Sequence, residues 1–174
     1  EGELLDAMHH KTRYNIRVAE KHEIHVSRSM EHETFWELMR KTSARDQFSS
    51  YPKSYYEKLL NFCELYVAWK DTTPVAAAIV LQHGDAAYYL HGASDHEYRH
   101  LMAPYALHWH LIKMLHATGY MIYDLWGIDA NKWPGVTRFK LGWGGSTIEY
   151  PGAFDLTVSR PWKLAYDLVQ KLRM

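Results

Sequence analysis

The chain has 174 residues, a formal net charge of zero and a hydrophobic share of 47%. These values are typical of one compact domain with a sizeable core. They exclude intrinsic disorder and a protein that binds nucleic acid over its whole surface. A single cysteine excludes an intramolecular disulfide, and no apolar window is long enough to span a membrane. We therefore expect a cytoplasmic domain whose contacts with polyanions are confined to a local patch.

The first third of the chain is predicted to be mainly helical. Apolar residues at helical spacing predict a helix over residues 3–21. A short strand over 23–27 follows, and then helices over 29–43 and 52–62, the last with Pro52 in its first turn. The rest of the surface of the first helix has a strong basic bias, from Lys11, Arg13, Arg17 and Lys21.

The middle of the chain changes to strand periodicity. Apolar runs over 65–69, 75–81 and 86–91, separated by short turns, predict three consecutive strands of an antiparallel meander. A helix over 104–118, ended by a glycine, and an apolar strand over 121–125 come next. This part of the chain predicts a sheet with one helical crossover.

The last fifty residues alternate short elements with loops. We predict a helix over 136–141, short strands over 147–150 and 154–158, and a helix over 161–172. Helices, an antiparallel meander, a crossover helix and a further strand together predict an α+β domain with a mixed sheet.

Histidine and cysteine chemistry has little support. There are 12 histidines, and pairs such as His96 with His100 have ligand spacing, yet no HExxH motif and no cysteine pair accompanies them, so we expect no metal. Of His108 and His110, two residues apart, we expect one packed and one exposed. Cys63 lacks a His–Asp partnership and is expected to be a small buried residue. The chain also lacks GxSxG, Walker and GxGxxG motifs.

Three features are candidates for chemistry, each with a plainer alternative. Arg13 and Arg17 are four apart and suit phosphate binding, but a solvated helix face explains them equally well. Residues 133–145 concentrate aromatics, glycines and two cations, so Lys140 can stabilise an oxyanion, although its aromatic neighbours are also typical of a core. Asp124 ends a strand, where sheets present functional groups, or it caps the following turn.

Four sequence motifs, in the same order, resemble those of the FemABX aminoacyltransferases. They are KTRYNIR at 11–17, GAS at 92–94 with MAPY at 102–105, YDLWGI at 123–128 and GVTRFK at 135–140. The resemblance extends along nearly the whole chain. It implies transfer of an amino acid from aminoacyl-tRNA to the stem-peptide amine of a peptidoglycan precursor, which builds the interpeptide bridge. It also implies the acetyltransferase-like (GNAT) fold, with a mostly antiparallel central sheet flanked by helices.

The resemblance is to the second of the family's two acetyltransferase-like domains. We therefore expect residues 1–174 to form one domain, the C-terminal half of a two-domain protein. The resemblance implies that Phe139 and Lys140 belong to the catalytic site, where Lys140 stabilises the charged transition state at the tRNA terminus. Arg138 lies beside them and is a further candidate for substrate contact.

The resemblance also implies where the precursor binds. Tyr55 matches a tyrosine that contacts the precursor in family members. Two further contact positions, which are arginine and tyrosine in the pattern of the family, are Tyr51 and His91 here. The departure leaves the identity of the precursor open.

The implied partners are aminoacyl-tRNA and a muramyl-pentapeptide or lipid-linked precursor, the latter met by peripheral contact with a membrane. The tRNA patch is expected at Lys11, Arg13 and Arg17 and at residues 138–140. No cofactor is expected, because residues 94–104 lack the glycine-rich loop that holds coenzyme A in acetyltransferases of this fold. Two alternatives stay open, a binding module without turnover and an acyltransferase that acts on another amine.

Overall fold

A five-stranded mixed sheet forms the centre of the computed structural model, which describes residues 1–152, 154 and 156–173. The strands lie side by side in chain order, with the bounds β1 His25–Ser29, β2 Glu64–Lys70, β3 Thr73–His83, β4 Ala86–Ser94 and β5 Ile122–Asp124. β1 to β4 pair antiparallel, and β5 runs parallel to β4. The predicted α+β domain with a mostly antiparallel sheet is confirmed.

Helices cover both faces of this sheet. Their bounds are α1 Gly2–Ala7, α2 His10–Lys21, α3 His32–Asp46, α4 Lys53–Leu59, α5 Ala103–Ala117, α6 Pro134–Leu141 and α7 Arg160–Arg173. From α3 onward, each predicted helix is present to within three residues at either end. A 3-10 helix over His96–Leu101, which joins β4 to α5, was not predicted.

The single helix predicted over 3–21 is wrong, because Met8 and His9 have extended backbone and divide it into α1 and α2. Tertiary contacts cause the break. Met8 is buried in one cluster with Trp143, and the amide of His9 donates to the carbonyl oxygen of Gly142 at 2.9 Å. Both partners lie more than 130 positions away along the chain, so the local helical pattern gives no sign of them.

β3 explains why the central apolar run of the sequence lacks alternation. Ala76, Ala78 and Val80 pack in the cluster beneath α5, whereas Ala77 and Ile79 pack with α3 and α4 on the other face. A strand covered on both faces needs apolar residues at every position. The alanines also let the helices approach the sheet closely.

The sheet opens along the second half of β4. Residues 86–88 pair with 122–124, and beyond them β4 and β5 have no further pairs. β4 also carries a bulge at Leu90, because Val80 pairs with Tyr89 and Ile79 with His91. An extra residue of this kind bends a strand and redirects its side chains. The result is a space between β4 and the chain that follows β5.

The strands predicted over 147–150 and 154–158 are wrong for the part of the chain that the structure describes. Residues 147–150, 154 and 156–158 have no strand structure, and residue 155 lies outside the described residues. Their large apolar side chains, such as Ile148 and Leu156, are 74% and 90% exposed. Strand propensity acts through packing on a pleated surface, and no such surface is available to them.

The predicted last helix is confirmed as α7, which an i,i+4 ion pair between Lys163 and Asp167 at 2.9 Å supports. None of the described helices combines the length and the apolar content that a bilayer span requires.

Candidate active site

A cavity of about 860 Å³ occupies the space where β4 and β5 separate. Most of its walls come from the end of α3 with the following loop, the second half of β4, the start of α5 and residues 127–140. Tyr56 of α4 and Ala76 and Ala77 of β3 complete the lining. The volume lies in the range of small-molecule sites. The opened sheet therefore gathers residues from distant motifs around one space.

Lys140 reaches this cavity from α6. Its Nζ atom donates to the carbonyl oxygen of Gly127 at 2.8 Å and lies 5.7 Å from the centroid of the Tyr89 ring. Burial lowers the pKa of Lys140 from its ordinary value, and the carboxylate of Asp124 opposes that shift. A half-buried cation in a cavity is suited to stabilise negative charge that develops on a substrate.

The two residues before Lys140 have different surroundings. Phe139 also lines the cavity, and its ring packs edge-on against Tyr105 and His108 of α5, with centroids 5.1 and 5.2 Å apart. These contacts hold α6 against α5 and so position Lys140. Arg138 is exposed and does not line the cavity. Its contact with substrate stays a prediction.

Three rings that the sequence did not single out as functional lie beside Lys140. Tyr123 and His108 share a hydrogen bond of 2.9 Å between the hydroxyl oxygen and Nδ1, and the ring of Tyr89 meets His108 edge-on at 4.5 Å. Burial lowers the pKa of His108 to about 3, with a further contribution from the charge of Lys140, so the ring is neutral at pH 7. Only the meeting of β4, β5 and α5 reveals this group, since its members are far apart in sequence.

The prediction for the two histidines of this helix is confirmed in outline. His108 is buried and His110 is partly exposed.

Tyr51, Tyr55 and His91 lie together, as the resemblance implied for the precursor site. The rings of Tyr51 and Tyr55 stack with centroids 4.2 Å apart, and the hydroxyl of Tyr55 is 3.3 Å from Nε2 of His91. Tyr51 and His91 line the cavity, and Tyr55 lies next to both. Burial lowers the pKa of His91 and so favours the neutral form of its ring. Their role in binding stays a prediction.

Two cations of the adjoining α3 and α4 are paired with acids. Arg45 lines the cavity, but its Nε and Nη2 atoms both donate to the carboxylate of Asp46 at 2.6 Å. Lys53 of α4 binds the carboxylate of Glu33. This end of the cavity therefore suits an uncharged part of a substrate better than a phosphate.

Asp124 caps a turn. Its Oδ1 atom accepts a hydrogen bond from the amide of Trp126 at 2.6 Å, and Trp126 has a left-handed backbone with φ of 66°. The turn-capping alternative is thus confirmed.

Cys63 is half-buried beside the α3 and α4 cluster, and burial raises the pKa of its thiol, as expected for a packing residue. Within the described residues, no three His, Cys, Asp or Glu side chains are grouped closely enough to hold a metal ion.

The cations predicted to bind tRNA from α2, Lys11, Arg13 and Arg17, do not form one uniform patch. Nη1 of Arg13 donates to the backbone carbonyls of Leu5, Asp6 and Met8, so its guanidinium closes the carboxyl end of α1. Lys11 and Arg17 are exposed. Arg13 therefore has a structural role that the sequence did not suggest. Phosphate binding by Lys11, Arg13 and Arg17 stays a prediction.

The connection from β4 to α5 is unlike a phosphate-binding loop. The buried carboxylate of Asp95 accepts the amide hydrogen of Glu97 at 3.0 Å and pairs with Lys41 at 2.5 Å. An anionic side chain thus occupies the amino end of the 3-10 helix, where a pyrophosphate would have to bind. This arrangement disfavours a coenzyme A cradle at that point.

One comparison decides to which family a chain with these motifs and this cavity belongs. The model of the FemAB family matches residues 1–69 and 61–173. The chain belongs to the FemAB family. Aminoacyltransferase FemA of Staphylococcus epidermidis is 28% identical over 105 residues, which are 58% of this chain and 25% of FemA. The lipid II:glycine glycyltransferase of Staphylococcus haemolyticus is 28% identical over 104 residues, 57% of this chain and 24% of that protein. The chain thus spans about a quarter of the length of these curated relatives.

Two solved structures place this FemAB domain among known folds. FemX matches it with a TM-score of 0.73 and 20% identity, over 82% of this chain and 55% of its own. An aminoglycoside acetyltransferase from an uncultured soil metagenomic sample matches with a TM-score of 0.57 and 17% identity, over 78% of this chain and 97% of its own. At such identities the matches show the fold alone. The acetyltransferase fold that the resemblance implied is confirmed.

Proposed function

We propose that this chain is an acyltransferase that moves an amino acid from aminoacyl-tRNA to the stem-peptide amine of a peptidoglycan precursor. The observation that carries the proposal is Lys140, a half-buried cation in the cavity between β4 and the chain after β5. Membership of the FemAB family supports it, because the relatives named above are an aminoacyltransferase and a lipid II:glycine glycyltransferase.

Aminoacyl transfer requires a positive charge close to the reacting carbonyl group. The acceptor amine attacks the carbonyl carbon of the aminoacyl ester, and negative charge develops on the carbonyl oxygen before the ribose oxygen leaves. One N–H of the Lys140 ammonium is bound to Gly127, so two remain for that oxygen. The interaction strengthens as charge develops, which is the condition for catalysis. The proton that the amine loses ends on the ribose oxygen, and no protein base is assigned to this transfer.

The substrates are assigned to different surfaces. We place the precursor, a muramyl-pentapeptide or its lipid-linked form, against Tyr51, Tyr55 and His91, near which Arg45 and Lys53 are paired with acids. We place the phosphates of the tRNA against exposed cations such as Lys11, Arg17 and Arg138. The reaction is assigned to the cytoplasm.

Residues 1–174 form, in this proposal, one acetyltransferase-like domain that is the C-terminal half of a two-domain protein. The share of FemX that the chain matches, 55%, supports this assignment. A second candidate function follows from the same lengths, since the chain spans a quarter of its curated relatives. In it, the domain binds precursor or tRNA without turnover.

The test supplies the chain with tRNA charged with labelled amino acids and with a muramyl-pentapeptide, and measures label on the peptide. Lys140→Met is compared with Lys113→Met, a matched control because Lys113 also lies over an aromatic ring, at 5.4 Å from the centroid of Trp109, but outside the cavity. We expect Lys140→Met to lose transfer by about 10²-fold or more and Lys113→Met to keep it.

Each result points to one conclusion. Equal transfer by the wild type and Lys140→Met would remove the role of Lys140. Binding of precursor or tRNA in a calorimeter without any product would favour the binding module. Transfer to other amines, but not to the stem peptide, would favour an acyltransferase with a different acceptor.

A further inference from the structure

The hydroxyl group of Tyr89 is a polar group of the cavity that the proposed mechanism does not use. Tyr89 lines the cavity, and no described residue forms a hydrogen bond with its hydroxyl. Within the described part of the chain, Trp143 Nε1 is the one fully enclosed side-chain nitrogen or oxygen atom without a partner. The Tyr89 hydroxyl also lacks a protein partner but is not enclosed, so it is open to the cavity.

Two features of β4 hold the ring in this place. The bulge at Leu90 inserts an extra residue directly after Tyr89 and so redirects the strand. Gly92 then leaves room for the ring, because a Cβ atom at that position would lie 1.7 Å from the Tyr89 hydroxyl oxygen. The phenol therefore lies over the backbone of Gly92, at a site that a side chain would block.

Packing explains the ring of Tyr89 but not its hydroxyl. The ring meets His108 edge-on at 4.5 Å, and Nζ of Lys140 lies 5.7 Å from its centroid. A phenylalanine would make the same contacts. Burial raises the pKa of Tyr89 to about 12, so the hydroxyl stays protonated at neutral pH and is available as a donor.

We infer that Tyr89 is a catalytic residue whose hydroxyl donates a hydrogen bond to the carbonyl oxygen of the aminoacyl ester, alongside Lys140. This inference rests on the proposed function. The amine nitrogen forms the new bond to the carbonyl carbon, and the π electrons of the carbonyl move to its oxygen. The intermediate then expels the ribose oxygen, which gains the proton that the amine loses. Tyr89 keeps its own proton throughout, and its hydrogen bond is stronger to the oxyanion than to the neutral carbonyl.

A binding experiment separates this role from packing. Two unreactive analogues of the 3′ end of aminoacyl-tRNA are titrated into the chain by calorimetry, a planar amide and a tetrahedral, anionic phosphonate. We expect Tyr89→Phe to weaken phosphonate binding by about tenfold or more relative to amide binding. Tyr88→Phe is the matched control, since the ring of Tyr88 lies against Trp126 with centroids 6.2 Å apart and does not line the cavity.

A second variant keeps the hydroxyl but moves it. In Gly92→Ala the new methyl group displaces the end of the Tyr89 side chain, and we expect the same selective loss of phosphonate binding. Thermal unfolding of each variant is measured as a control that the fold is retained.

The results distinguish the inference from the function on which it rests. Equal affinity changes for both analogues, or no change, in Tyr89→Phe would overturn the role of Tyr89 and leave the proposed function standing. A wild-type chain that binds neither analogue, whether or not it binds precursor, would overturn transfer from aminoacyl-tRNA and the role of Tyr89 with it.

Discussion

The ammonium group of Lys140 lies 2.8 Å from the carbonyl oxygen of Gly127, so α6 is joined to the loop after β5 at the wall of the cavity. This hydrogen bond fixes the position of the ammonium group at the cavity. Because the same group is half-buried, its charge is less stable than that of a surface lysine. Because the pKa of Lys140 is lowered, loss of its proton can be followed as a change in the pH dependence of transfer.

Transfer is expected to depend on that proton. Burial lowers the pKa of Lys140, so the ammonium is present below that pKa and is lost as the pH rises through it. The rate of transfer should therefore fall at a lower pH than the titration of an ordinary lysine would predict. Lys140→Arg keeps its charge and should lack this fall. Single-turnover rates between about pH 6 and about pH 10, corrected for ester hydrolysis, test the prediction, and parallel profiles for the two proteins would contradict it.

Tyr51 is expected to act on binding of the precursor. One face of its ring stacks on Tyr55, and the side chain is 56% exposed, so the other face is available to a substrate. Tyr51→Ala should raise the KM for the precursor by about tenfold with little change in kcat. Tyr51→Phe, which keeps the stacked ring, should retain the wild-type KM. A fall in kcat at constant KM would place Tyr51 with the chemistry instead.

His108 is expected to make the fold sensitive to acid. Its folded-state pKa of about 3 lies below the value of about 6.5 in an unfolded chain, so the unfolded chain takes up a proton that the folded one does not. The free energy of unfolding should fall below about pH 6.5, by up to about 1.4 kcal/mol per pH unit. His108→Gln should flatten this slope in urea unfolding, whereas His116→Gln, at an exposed position of the same helix, should preserve it.

Gly144 is expected to be essential for the break between α1 and α2. A Cβ atom at Gly144 would lie 2.2 Å from the carbonyl oxygen of Ala7, and its φ of +78° strains any other residue. Gly144→Ala should lower the free energy of unfolding by about 2 kcal/mol or more. Gly145→Ala has open space around it and should change that energy by less than about 0.5 kcal/mol. Similar urea midpoints for the two variants would show that the loop relaxes freely.

Arg13 and Arg17 are expected to differ although both are basic residues of α2. Arg13→Met removes three hydrogen bonds to the carbonyls at the end of α1 and should cost about 1–2 kcal/mol of unfolding free energy. Arg17→Met should leave stability unchanged and reduce the salt dependence of tRNA binding. Denaturant unfolding and binding at several salt concentrations check the two halves. Equal stability losses would show that both residues serve the fold.

Much of the fold follows from local patterns that the structure confirms. The continuous run of β3 and the spacing of α3 and α5 are strong signals, because burial on both faces or on one helical stripe leaves a periodic trace. The strands predicted over 147–150 and 154–158 had the right composition but no partner strand in the described residues. Composition measures how well a segment would pair, not whether a sheet edge is present.

For the site, the sequence by itself indicated the family through four motifs, one of which contains Lys140, and it indicated Tyr55 and His91 by their correspondence to contact positions of that family. Only the tertiary structure decided which candidates meet and which are occupied elsewhere. Asp124 and Arg13 bind backbone groups, and both bonds depend on where the chain turns. The hydroxyl of Tyr89 became a candidate only because a bulge and a glycine in β4 expose it to the cavity. Such roles arise from distances between segments far apart in the chain, and a local pattern carries no record of those distances.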